Sequence, residues 1–319
     1  MLSIGLLGAG SHSRTFHGPA LKIVHDELPG EVELAAVCDI DRAKARSYAR
    51  EFGFVRVYDD LETMLASERL DGIVAVTPME RTLEIASRIL RAKVPVVIEK
   101  PPGLDVGEGR RLLAVARETG TPHMVSMNRR FCPAVVRARQ WLADQAKRPP
   151  RLIVARMLRH KRREAGFVAQ TGIHLVDAVC SFLGRPCEVV ARRVATGDPD
   201  SHLYQGTLTF DSGAAAELVF ASAVGFHEET YEILGEDYRI LIDALAAGVT
   251  IHDARQEVLN WRVPADSPPV DANGTLDETR AFVESLRGRR PFEPALEDAV
   301  ASFAAAEAIQ AAEPVEQRH

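Results

Sequence analysis

The sequence predicts an α/β chain, a doubly wound parallel sheet followed by an α+β domain with an open, mainly antiparallel sheet. Three observations lead there. The first third alternates short β-branched runs with longer amphipathic stretches, as a parallel sheet covered by helices on both faces requires. From Arg151 onward, strand-like runs follow one another with only turns between them, which means antiparallel pairing. A length of 319 residues exceeds one typical core, so two domains are expected, 1–123 and 124–319.

In the first domain, strands are expected at 2–7, 32–38, 55–58, 72–76, 94–98 and 123–127. Helices fall between them at 13–26, 41–51, 59–67, 80–92 and 105–119, several ending in a glycine such as Gly53 or Gly120. A helix at 133–146 leads to the Pro149-Pro150 break. The second domain then offers strands at 151–159, 187–195, 202–210, 214–222, 228–235, 238–243, 248–252 and 256–262, with one helix at 172–184 among them. A connector at 264–275, rich in proline, precedes closing helices at 276–287 and 294–311. One face of the second sheet has no helix left to cover it, so a homodimer or homotetramer through that sheet is expected.

Composition excludes several classes. With 46% apolar and 26% charged residues and no apolar run of membrane length, the chain reads as globular with no membrane partner. The start, Leu2-Ser3-Ile4-Gly5-Leu6-Leu7, reads as a strand and not as a secretory signal, and Cys38, Cys132, Cys180 and Cys187 suit a reducing cytoplasm. Those cysteines lack C-x-x-C spacing, so no metal site is expected. A net charge of −6 argues against nucleic acid as a partner.

Gly8-Ala9-Gly10 follows the first strand and precedes a helix, the setting in which a glycine turn cradles a diphosphate. Gly8 allows the tight turn, and Gly10 lets the backbone approach the phosphates, with Ser11 and His12 next at the helix start. The third glycine position holds Ser13, so helix and strand pack farther apart or the hydroxyl finds a backbone partner. Asp39 ends the second strand, where a carboxylate accepts both hydroxyls of an adenosine ribose and repels a 2′-phosphate. These features make residues 1–123 a Rossmann domain for a nicotinamide dinucleotide, with NAD favoured. Arg42 keeps NADP open, since a guanidinium pairs with phosphate, and Asp41 reads as a helix N-cap. Thr77 and Pro78, after the fourth strand, stand on the nicotinamide side; Thr77 serves equally well as a turn residue.

Glu99-Lys100-Pro101-Pro102 ends the fifth strand at the carboxyl edge of the sheet, where ligands of this fold bind. Lysine is scarce in this chain, and Lys100 is placed to hold a substrate oxygen as hydride moves. His174 and Asp177 lie one turn apart at the start of a helix. An imidazole near a helix N-terminus suits a general base; the alternative is a buried histidine bonded to Asp177.

Together these segments resemble the glucose-fructose oxidoreductase / inositol dehydrogenase / MocA family (Gfo/Idh/MocA) over nearly the whole chain. The matching runs are Gly8-Ala9-Gly10 continuing to His17-Gly18-Pro19-Ala20-Leu21, Val37-Cys38-Asp39, Val76-Thr77-Pro78 and Glu99-Lys100-Pro101. They continue with Asn128-Arg129-Arg130-Phe131-Cys132-Pro133, Gly172-Ile173-His174-Leu175-Val176-Asp177 and Leu183-Gly184. The H-x-P-A-L run is more similar to the MviM-type branch. The resemblance implies an NAD(P)-dependent oxidoreductase moving hydride between a nicotinamide and a hydroxyl or carbonyl carbon of a sugar, polyol or sugar derivative. It implies Lys100 and His174 as catalytic residues, with Glu99 beside the cofactor and Asn128, Arg129, Gln170 and Asp177 toward the substrate.

Two departures stand out. Gln170 occupies a position where many relatives carry an aspartate that partners the histidine, and an amide cannot relay a proton. Met79-Glu80-Arg81-Thr82 also lacks the histidine that often follows the T-P pair. Arg156, Arg159, His160, Lys161, Arg162 and Arg163 border the implied active site, so an anionic substrate held by Arg159 and Arg163 is one expectation, a solvated loop or oligomer contact the other. Gln170 also keeps open a non-catalytic sensor of NAD(P) or sugar, and a non-sugar carbonyl substrate remains a third reading.

Overall fold

The computed structural model describes residues 1–144, 148–198 and 200–314. Contacts divide it into two compact units, Met1–Ser126 with Thr275–Val300, and Met127–Gly274 with Ala301–His319. The division drawn from sequence kept everything after 123 in one piece. In the structure, residues 275–300 make their contacts with the first unit instead.

The first unit is built on six parallel strands, β1 (Leu2–Leu7), β2 (Val32–Cys38), β3 (Arg56–Tyr58), β4 (Gly72–Ala75), β5 (Val96–Glu99) and β6 (His123–Ser126), in the order β3-β2-β1-β4-β5-β6. This is the doubly wound order, whose reversal beside β1 opens a crevice at the carboxyl ends. The central strands are buried on both faces, which explains their continuous apolar runs. Helices α1 (Ser11–Thr15), α2 (His17–Glu27), α3 (Arg42–Phe52), α4 (Leu61–Ser67), α5 (Met79–Arg91) and α6 (Val106–Thr119) connect them. Asp41 N-caps α3, accepting from the Ala43 and Lys44 amides, and Gly53 and Gly120 close α3 and α6 in the left-handed conformation.

The helix expected at 13–26 is two helices. Phe16 departs from helical geometry (φ −121°, ψ −61°) and ends α1, and α2 restarts at His17. Ser13, in the third glycine position, is fully buried and its hydroxyl meets the Tyr48 hydroxyl at 2.8 Å, so the partner is a side chain and not backbone.

In the second unit, α7 (Pro133–Asp144) corresponds to the helix expected at 133–146, of which 145 and 146 lie outside the described residues. Eight strands form one sheet: β7 (Leu152–Leu158), β8 (Pro186–Val194), β9 (Leu203–Phe210), β10 (Ala215–Ala221), β11 (Glu228–Gly235), β12 (Tyr238–Asp243), β13 (Gly248–Asp253) and β14 (Gln256–Arg262). Their order is β14-β13-β12-β11-β7-β10-β9-β8, and only β7 and β10 pair in parallel. Along β9, β10 and β11 buried residues alternate with half-buried ones, so this sheet has one core face. Helix α8 (Ile173–Leu183) is preceded by a five-residue π turn, Val168–Gly172. The short α9 (Pro269–Ala272) follows the sheet.

Helix α10 (Thr275–Leu286) belongs to the first unit. Arg280 pairs with Glu27 of α2, and the fully buried Phe282 lies over Gly72, where a Cβ would come within 2.6 Å of its ring. Ser126 Oγ donates to Glu278 at 2.8 Å. The closing helix α11 spans Leu296–Gln310. No helix among the described residues is long and apolar enough to cross a membrane.

Phe282→Ala removes a buried aromatic side chain and is expected to lower stability by about 3–5 kcal/mol. Urea unfolding measures it; a loss below about 1 kcal/mol would contradict the placement of α10 on the first unit.

Candidate functional site

Three strand ends meet at the glycine turn. Gly8 (φ +98°) donates its N–H to Cys38 O at 2.8 Å, and a Cβ on it would stand 2.0 Å from Val76 O. Only glycine satisfies both the backbone angle and the approach. Gly10 differs: no atom lies within 4 Å of the place a Cβ would occupy, so its backbone faces open space. That space is a cleft of about 310 Å³ lined by Gly10, Ser11, His12, Thr77, Pro78, Glu99 and Lys100, among others. Seven residues singled out from the sequence as cofactor contacts are thus gathered in one place.

Asp39 bridges two loops. One carboxylate oxygen accepts from Ala9 N and the other from Asp41 N, both at 2.8 Å, which fixes the carboxylate at the end of β2. Arg42 points to Asp59, at 3.2 Å. Ile40, 95% exposed directly after Asp39, is an apolar face that the sequence reading passed over.

Glu99, which lines the cleft, is held by two histidines. Its carboxylate meets His17 Nε2 at 3.0 Å and His12 Nε2 at 3.6 Å, with its side chain 10% exposed. Burial alone would raise its pKa; the two histidines and the Lys100 charge outweigh that and hold it well below the usual carboxylate range. His17 stands 82 residues from Glu99 in sequence, so local spacing gives no sign of the pair.

In the second unit the residues expected to face substrate are divided. Glu229, fully buried, accepts from Arg129 Nε at 2.5 Å, from Arg159 and from the Tyr231 hydroxyl at 3.1 Å. Burial raises its pKa, but Arg129, Arg159 and His174 prevail and the carboxyl titrates at about 2. Arg159 also donates to the carbonyls of Leu158 and Glu228 and is 7% exposed. Arg129 and Arg159 are therefore both paired with an internal carboxylate, and Arg159, expected to hold an anionic substrate, is buried in that network. Arg163 is exposed and pairs with Asp198, and Arg162 pairs with Glu164. The basic run is thus partly internal and partly neutralised at the surface.

Asp177 is likewise internal. Arg130 grips both its oxygens at 2.7 Å and Ser302 Oγ donates to it at 3.0 Å, so the carboxylate is held within a buried network. Asn128 opens a 3-10 turn, Asn128–Phe131, and is half-buried. Gln170 sits within the π turn, its N–H bonded to Gly166 O at 2.8 Å. Because the π turn continues into α8, His174 stands about two turns inside a helical run that begins at Phe167. The field of a helix N-terminus fades within its first turn, so it does not act on His174 as the sequence reading supposed.

Residues 2–127 match the model of an oxidoreductase family with an NAD-binding Rossmann fold, and residues 116–241 match the GFO/IDH/MocA C-terminal domain. The chain belongs to the Gfo/Idh/MocA oxidoreductase family. Among Gfo/Idh/MocA relatives, a D-apiose dehydrogenase of Paraburkholderia graminis is 29% identical over 226 residues, 66% of this chain and 58% of that protein. A D-glucoside 3-dehydrogenase of Escherichia coli is 25% identical over 259 residues, 72% of each chain. A dehydrogenase from Chromobacterium violaceum shares the fold, with a TM-score of 0.85 at 22% identity over 97% of this chain and 94% of that one. The chain spans 56% of a Saccharomyces cerevisiae relative and 58% of the D-apiose enzyme, under two thirds of either.

Replacing Glu229 by Gln leaves two buried guanidiniums facing a neutral amide and is expected to cost about 3–5 kcal/mol at neutral pH. The carboxyl's pKa is depressed in the folded state, so its stabilisation is complete above the unfolded value of about 4.3 and is lost as pH falls toward about 2. Unfolding midpoints of the two proteins should therefore converge between those pH values; a constant gap would show that the charge is not what matters.

Proposed function

We propose that this protein is a nicotinamide-dependent dehydrogenase that acts on a secondary hydroxyl of a sugar or polyol and uses NAD in preference to NADP. The observation that carries the reading is the cleft at the carboxyl edge of the first sheet, where an open glycine turn, Thr77, Glu99 and Lys100 share one wall. The names of the D-apiose and D-glucoside relatives support a carbohydrate substrate.

The residues present fit a dinucleotide. Gly8 makes the turn, Gly10 would bring backbone against the diphosphate with Ser11 and His12 flanking it, and Thr77 and Pro78 would take the nicotinamide side. Asp39 serves the adenosine ribose and Ile40 the adenine. A fixed carboxylate at Asp39, together with an Arg42 engaged by Asp59, disfavours a 2′-phosphate. When bound, the nicotinamide supplies the hydride acceptor or donor.

Lys100 holds the substrate oxygen and stabilises alkoxide character as the carbon–hydrogen bond breaks. His174 takes the hydroxyl proton. Gln170, one helical turn before it, offers an amide to a neighbouring hydroxyl in place of a second carboxylate, and Asn128 offers another. The half-buried face of the eight-stranded sheet is where a dimer or tetramer forms.

Incubation with NAD and a panel of sugars and polyols, followed by reduced-nicotinamide absorbance, tests the reading. Lys100→Met and His174→Ala are each expected to lower kcat by about 100-fold or more while the affinity for NADH stays within a few-fold of the parent. Firm NADH binding with no turnover on any substrate would identify a sensor instead, and equal turnover with NADP would overturn the cofactor assignment.

A further inference from the structure

We propose that His12, His17 and Glu99 form a binding site for one divalent cation of the zinc class, open on the side of the cleft. One ligand atom from each of the three residues lies within 4.8 Å of the others. The set of two imidazoles and a carboxylate is one that borderline cations favour, and three protein ligands leave a fourth position for water or another oxygen.

The helix break at Phe16 is what brings the pair of histidines together. Residues five apart in a continuous α-helix point about 140° away from each other around the axis, so His12 and His17 would face different surroundings. With α1 ended at Phe16 and α2 restarted at His17, their rings instead approach to 5.8 Å between centroids. Glu99 arrives from the end of β5 and presents one oxygen to each ring.

The spacings suit a shared ion better than a pure hydrogen-bond network. His12 Nε2 and Glu99 Oε1 are 3.6 Å apart, too long for a hydrogen bond. That distance is close to the edge of about 3.4 Å of a tetrahedron whose metal–ligand bonds are about 2.1 Å. His17 Nε2 stands 3.0 Å from the other oxygen, Oε2, so the two rings approach the carboxylate at its two oxygens, either of which can serve as the ligand atom. The side-chain exposures of 50% for His12 and 5% for His17 describe a site with one buried wall and one mouth. Gly10, Ser11, Thr77 and Lys100 line the cleft at that mouth.

The test is a binding measurement, independent of turnover and so of the proposed substrate class. Chelator-treated full-length protein is titrated with Zn²⁺ against a chromophoric competitor, alongside His12→Ala, Glu99→Gln and Cys187→Ser. The parent and Cys187→Ser should bind one equivalent with the same affinity, and His12→Ala, a change at an exposed side chain, should bind at least 10-fold more weakly. Co²⁺ in place of Zn²⁺ should give the visible bands of a four- or five-coordinate nitrogen and oxygen site, absent in His12→Ala. Absence of saturable binding in the parent, or affinity that follows Cys187 and not His12, would overturn the site. Thermal melts of each variant separate a lost ligand from a lost fold.

Discussion

The approach of Gly8 to Val76 sets the geometry of the first unit. With no side chain at residue 8, β1 turns within van der Waals reach of the β4 end while its N–H stays bonded to the end of β2. Any Cβ there would force the three strand ends apart. The contents of the cleft follow from that closure: Gly10 open to the cavity, Asp39 strapped across two loops, and Thr77, Glu99 and Lys100 delivered by β4 and β5. A hydroxyl and a carboxylate at those positions are useful only because the backbone beneath them is fixed.

Each unit also contains a buried carboxylate whose charge is kept by the side chains around it. Glu99 is held by two imidazoles and the Lys100 field, and Glu229 by two guanidiniums, with a tyrosine hydroxyl completing its shell. Burying a carboxylate is costly unless such partners are supplied, so neither residue is an incidental surface charge. The two differ in consequence. Glu229 and its arginines form a closed internal network, whereas His12 leaves the Glu99 cluster exposed on one side.

Much of this was legible in the sequence because it depends on local periodicity. Buried parallel strands read as apolar runs, alternating strands as a half-covered sheet, and the glycine turn with Asp39 as a dinucleotide site. What escaped depends on distant partners. Arg159 looks like a ligand for an anion until Glu229, 70 residues away, is seen to hold it together with Arg129. The Arg130 pair on both oxygens of Asp177, 47 residues away in sequence, is equally invisible in the local spacing of His174 and Asp177. The break at Phe16 carries no proline or glycine signal at the residue that matters, and the glycines at 166 and 172 do not by themselves announce a π turn, yet each changes which side chains meet. Helix α10 gives no sign in its own pattern that its apolar face belongs over Gly72.

Hydride transfer itself is tested most directly by isotope. A sugar or polyol that turns over is labelled with deuterium at the oxidised carbon and incubated with NAD, and the reduced nicotinamide is examined by mass spectrometry. Recovery of one deuterium in NADH, formed about 100-fold or more slowly by Lys100→Met, is the predicted result. Unlabelled nicotinamide, with the protein binding NAD and leaving every substrate unchanged, would contradict the assignment of this Gfo/Idh/MocA chain as a dehydrogenase.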